Sequence, residues 1–193
     1  MNIFLVRHGE SVGNQRGLLY GHTDHPLTEQ GVRDAAAVGE KLREADIRRC
    51  YSSPLSRAAE TARLCTQGRN IETVYRDGLK EQYMGDWEDV SFLGMREAEP
   101  ELIGSMIQDW TKVVPPGGES YEAVIERAGA VLDEILERGE DALIVAHNGP
   151  LAALVARLLF GGADMVRRLW LMHGCYTCVE LQNGLAYLRY FNK

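Results

Sequence analysis

Two histidines in this 193-residue chain each follow a short apolar run and stand close to a glycine: His8 in Arg7-His8-Gly9 and His147 in His147-Asn148-Gly149. Neutral imidazole is available near pH 7 as a nucleophile or a base. The runs before them, residues 3–6 and 142–146, read as buried strands. In open α/β sheets, ligands bind just beyond the carboxyl ends of such strands. The glycines let backbone approach a ligand closely. Arg7 adds a fixed positive charge, and His147 precedes a helix start, whose free N–H groups favour an anion. Ser11 and Ser53 are rival nucleophiles, but neither lies in a Gly-x-Ser-x-Gly elbow.

The elements that must position these residues can be traced along the chain. Glycines at 9, 13, 17 and 21 mark a long functional loop. Thr28 is expected to cap a helix with Val32, Ala35, Ala36, Gly39 and Leu42 inward. A second strand ends at Cys50-Tyr51. Ser52-Ser53-Pro54 then opens a helix with Ala58, Ala59, Ala62 and Cys65 inward and Arg57 on its first turn. Residues 71–75 read as a third strand, and 79–119 as an irregular or weakly helical excursion. Ser120 caps a helix whose apolar face is Val124, Ala128, Val131, Leu132 and Ile135. Gly149-Pro150 turns the chain into a helix expected over 151–160 and stopped by Gly161-Gly162. Residues 175–181 and 186–191 form a hairpin through Asn183-Gly184, and its strands are candidates to pair in a homodimer. Strands alternating with helices predict an α/β fold: a three-layer α/β/α sandwich with a mostly parallel sheet. One domain over residues 1–193 is expected, with the 79–119 excursion forming part of the substrate pocket.

A net charge of -7 argues against binding nucleic acid through a basic face, yet a few converging arginines can still hold a small anion. No apolar run reaches transmembrane length, so no membrane partner is expected. Met1 leads straight into an apolar strand and Arg7, which makes a cytoplasmic location the expectation. Cys175 and Cys178 supply two ligands where a structural zinc needs four, and they read as reduced thiols.

Five segments together resemble the histidine phosphatase superfamily, in its phosphoglycerate mutase-like branch. They are Leu5-Val-Arg-His-Gly-Glu-Ser11, Gly21-His-Thr-Asp-His-Pro-Leu-Thr28, Ser52-Ser-Pro-Leu-Ser-Arg-Ala-Ala-Glu-Thr-Ala62, Leu79-Lys-Glu-Gln-Tyr-Met-Gly-Asp-Trp-Glu88 and Val145-Ala-His-Asn-Gly149. The resemblance implies a phosphoglycerate mutase-like fold and hydrolysis of a small phosphorylated metabolite. It makes His8 the nucleophile and Glu81 the proton donor to the leaving oxygen. Arg7, Arg57 and His147, the last as an imidazolium, would grip the phosphoryl oxygens with help from Asn14. Gly21, His22, Asn148 and Tyr83 are the further substrate-binding candidates. Glu81 must be protonated to act, and a partly buried site beside a phosphate favours that form. No metal and no cofactor are required, because the arginines supply the electrostatic role.

The sequence departs from the family pattern at Gly13, where many members carry an aromatic, and at Asn148, where glycine is frequent. Mutases of this family are longer, so hydrolysis is favoured. Segments 83–88, 109–110, 116–120, 156–158 and 174–176 are similar to those of small phosphatases, including a group in cobalamin synthesis. Broad-specificity, phosphoserine and sugar phosphatases are rivals. Tyr20, His22, Tyr83, Trp87 and Trp110 are candidates to meet an organic leaving group. An inactive phospho-ligand-binding module is the alternative from another class. The presence of Arg7, His8, Arg57, Glu81 and His147 argues against it.

Overall fold

The computed structural model describes residues 1–162 and 165–193. In chain order the elements are β1 (Asn2–Arg7), α1 (Val12–Gln15), β2 (Leu18–Leu19), α2 (Glu29–Lys41), β3 (Arg49–Ser52), α3 (Ser56–Cys65) and β4 (Glu72–Tyr75). They continue with β5 (Val90–Ser91), α4 (Phe92–Ala98), α5 (Pro100–Asp109), α6 (Tyr121–Arg138), β6 (Ala142–Ala146), α7 (Asn148–Phe160), β7 (Tyr176–Gln182) and β8 (Leu185–Tyr190). The main sheet runs β4-β3-β6-β1-β7-β8. Its first four strands are parallel, and β7 and β8 are antiparallel.

Side-chain alternation along β1 separates two cores. Ile3 and Leu5 pack with α6 and α7, while Phe4 and Val6 pack with α2 and α3. The central strand β6 is buried at every residue, which its uninterrupted Ala-Leu-Ile-Val-Ala demands. Helices thus cover both faces, giving the three layers expected. Ser120 caps α6 through Ala123 N–H at 3.3 Å, and Gly139 ends it at φ 66°. All five residues expected on its apolar face are buried.

Several local expectations need correction. In α2 the buried face is Gly31, Ala35, Val38 and Leu42, whereas Val32 and Ala36 are exposed. The loop after β1 lies directly on this helix: a Cβ on Gly31 would sit 2.1 Å from the Glu10 carbonyl oxygen. That contact turns Gly31 inward and Val32 outward. Helix α7 begins at Asn148 rather than 151, with His147 as N-cap. Pro150 is tolerated because first-turn N–H groups have no intrahelical partner to lose. The glycine-rich loop is more regular than expected, holding α1 and β2, and β2 pairs with β5 of the 79–119 excursion. That excursion carries two helices, α4 and α5. Cys175 precedes β7, and all four cysteines are free thiols.

Candidate active site

Parallel pairing brings the chemistry together. Arg7 at the end of β1 is opposite Ala146 at the end of β6, and Ser52 of β3 is opposite Val145. Three neighbouring strands therefore deliver Arg7-His8, His147 and Ser53 to one edge of the sheet. The His8 N–H donates to the Ala146 carbonyl at 2.9 Å. The rings of His8 and His147 lie 5.0 Å apart between centroids. His173, outside the sequence-based candidates, packs 5.1 Å from His8 on its other side.

His8 is 3% exposed. Its Nδ1–H donates to the Gly9 carbonyl at 2.7 Å, which leaves Nε2 as the bare nitrogen. Burial, then the charge of Arg57, holds its pKa well below the usual histidine value. The His147 pKa is lowered for the same two reasons, which favours the neutral ring over the imidazolium expected there. Its Nε2 is 2.9 Å from Ser53 Oγ, which itself accepts the Leu55 N–H at 3.3 Å. Among the hydrogen bonds of the described residues the Ser53 hydroxyl has no other acceptor, so it donates to Nε2 and His147 carries its proton on Nδ1.

Arg57 reaches the site from the first turn of α3 and is 1% exposed. It donates to the Gly21 carbonyl at 2.6 Å and the Thr23 carbonyl at 3.0 Å, and its Cζ lies 4.7 Å from the centre of the Tyr20 ring. Arg7 donates to the Leu171 carbonyl at 2.9 Å. Burial lowers both guanidinium pKa values, with Glu81 and Tyr20 opposing it, and both side chains remain cations. Among the described residues, three buried polar groups here have no protein partner: Arg7 Nε, Arg57 Nε and His147 Nδ1. Orphaned buried donors are costly and call for a ligand.

One carboxylate oxygen of Glu81 accepts the Gly149 N–H at the start of α7 at 3.3 Å. A Cβ on Gly149 would sit 2.3 Å from the other oxygen, so glycine is needed for this approach. Arg127, which sequence reasoning missed, fixes the segment by donating to the carbonyls of Gly78, Lys80 and Glu81 at 2.8, 2.6 and 2.9 Å.

The remaining candidates have mixed placements. Asn14 Oδ1 accepts the Ser11 N–H and hydroxyl at 3.1 and 2.9 Å, closing the α1 cap. Asn148 Oδ1 accepts the Leu171 N–H at 2.9 Å. The His22 ring donates to the Glu81 carbonyl at 3.0 Å and packs on exposed Tyr83, 5.0 Å between centroids. Gly13 makes room for Tyr20 and His25, whose atoms would lie 2.7 Å from a Cβ there. Trp110, half-buried, packs edge-on against Tyr121 at the border of the core.

Glu88 closes the acidic motif of the sequence but was given no role there. Its carboxylate accepts N–H groups from Gly21, His22, Thr23 and Met84 at 2.8–3.1 Å. Burial alone would raise its pKa, but these donors outweigh burial and hold it below its ordinary value. That stabilisation is present above the unfolded-state pKa and is lost as pH falls through the folded one. Glu88→Gln is expected to lower stability by about 2 kcal/mol at pH 7. The gap from wild type should close on acidification below the usual carboxylate range. Denaturant melts across pH check both; a pH-independent gap would contradict the carboxylate's role.

This geometry defines a phosphoryl- or carboxyl-binding α/β protein with a buried neutral histidine at the centre of the site. The chain matches the histidine phosphatase superfamily (branch 1) over residues 3–193, and it belongs to that family of phosphatases. It is 34% identical to the adenosylcobalamin/alpha-ribazole phosphatase of Salmonella typhimurium, covering 100% of this chain and 96% of the relative. A crystal structure of a putative alpha-ribazole-5'-P phosphatase from Escherichia coli superposes with TM-score 0.90 at 29% identity, covering 100% of this chain and 96% of that one. A probable phosphoglycerate mutase of Yersinia pestis is 32% identical, over 95% of this chain and 86% of its own.

Proposed function

We propose that the chain, as one domain, hydrolyses a small phosphomonoester in the cytoplasm through a phosphohistidine at His8. The observation that carries this reading is the set of three unpartnered buried donors around the bare nitrogen of a neutral histidine. A phosphoryl group seated there is the partner proposed for them. The Nε2 lone pair of His8 attacks phosphorus as the ester oxygen departs, and Glu81 gives that oxygen its proton. The Glu81 carboxylate then takes a proton from the water that attacks phosphohistidine. Phosphate leaves, and both residues return to their starting states. Arg7, Arg57 and the Nδ1–H of His147 stabilise the equatorial oxygens as charge spreads over them.

The substrate proposed is alpha-ribazole 5'-phosphate, on the strength of the near full-length similarity to phosphatases carrying that name. Turnover of a chromogenic aryl phosphate in EDTA tests the reaction class. Activity is expected to persist in EDTA; its absence would favour a binding module. Glu81→Gln is expected to slow esters with poor leaving groups by about 10²–10⁴-fold and good ones far less. Equal slowing across a leaving-group series would remove Glu81 as the acid.

A further inference from the structure

Residues 169–173 cross the rim of the site as a strap whose side chains alternate. Leu171 is buried and His173 packs on His8, whereas Trp170 and Met172 face outward, 63% and 52% exposed. The strap is tied on both edges. On the inner edge the Leu171 N–H and carbonyl bond Asn148 and Arg7, both at 2.9 Å, and His173 Nδ1 donates to the His8 carbonyl at 2.5 Å. On the outer edge Asn192 accepts the Met172 N–H at 2.9 Å and donates to the Trp170 carbonyl at 2.8 Å. The backbone that carries the indole is therefore fixed, and Arg7 Cζ lies 4.9 Å from its ring centre. Neighbouring large apolar side chains left open beside a polar site mark a binding surface. Among the other aromatics near the cup, Tyr20 is buried, and His22 packs on the less exposed Tyr83.

We propose that Trp170, flanked by Met172, is the subsite for the leaving group and takes a planar heteroaromatic ring carried by the substrate alcohol. The proposal rests on the cup being a phosphoryl site: Arg7 holds the phosphate, and the indole beside it holds the ring attached through the sugar. A flat ring on a pre-fixed indole gains contact area at little entropic cost.

Steady-state kinetics on alpha-ribazole 5'-phosphate and ribose 5-phosphate isolate the base, because the two esters differ only there. Trp170→Ala is expected to lower the ratio of kcat/KM between them by about tenfold, chiefly through KM, and Trp170→Phe to restore most of it. Equal losses on both esters would mean that Trp170 serves only Arg7, and would overturn the subsite. No loss on either ester would overturn it as well. A wild-type protein inactive on both esters and on aryl phosphates would instead defeat the phosphatase reading, and the subsite with it.

Discussion

His8→Ala is expected to lower kcat/KM on the order of 10⁴-fold or more while leaving phosphate binding nearly intact. The two effects separate because the nucleophile and the anion cup are different residues. Arg7, Arg57 and His147 keep their supports when the His8 ring is removed: Leu171, Gly21 with Thr23, and Ser53. Neither of the two serines weighed as rival nucleophiles is poised to substitute. The Ser53 hydroxyl is engaged with His147, and Ser11 is tied to Asn14 and Tyr20. Inorganic phosphate should therefore bind His8→Ala with affinity within a few-fold of wild type, as isothermal titration can measure. Residual turnover within a hundred-fold of wild type would contradict the assignment.

Arg57→Ala is expected to lose about 10³-fold in kcat/KM and, separately, about 3 kcal/mol of stability. The activity falls because an unpartnered donor and a positive charge leave the cup. Stability falls because Arg57 also ties down the loop that carries Gly21 and Thr23, and deletion strands two carbonyls. Arg57→Lys should recover part of the charge and little of the activity, since one ammonium cannot serve both carbonyls and a phosphoryl oxygen in a fork. Kinetics paired with thermal melts separate the two effects. A stable Arg57→Ala protein with near wild-type activity would contradict both.

Local signals carried much of the fold. The apolar runs before His8 and His147 gave their strands because continuous burial needs continuous apolar residues, and Asn183-Gly184 marked its hairpin through two positive φ angles. Helix α2 was read with Ala35 and Leu42 correctly inward but with Val32 and Ala36 inward too, and these two are exposed. The reason is a tertiary contact, the Glu10 backbone pressed on Gly31, which periodicity does not report. The site divides in the same way. His8 and His147 were legible because each stands just beyond a strand, whereas Arg57 was placed only by the motif that resembles the family. Arg127, Glu88, Trp170 and His173 were not, because they act through backbone groups or neighbours distant in sequence. Arg127 is 46 residues from the carbonyl of Glu81 that it binds. The protonation of His147 could not be read from its residue type alone. It follows from burial beside Arg57.

The central claim is a phosphoryl group held covalently on His8. Rapid-quench turnover of an aryl phosphate, stopped in alkali to preserve phosphohistidine and analysed by peptide mass spectrometry, tests it directly. One phosphoryl group on the peptide containing His8, formed and lost at rates that account for kcat and absent from His8→Ala, is the predicted result. Turnover with no phosphorylated protein at any time point, or with the label on another residue, would contradict it.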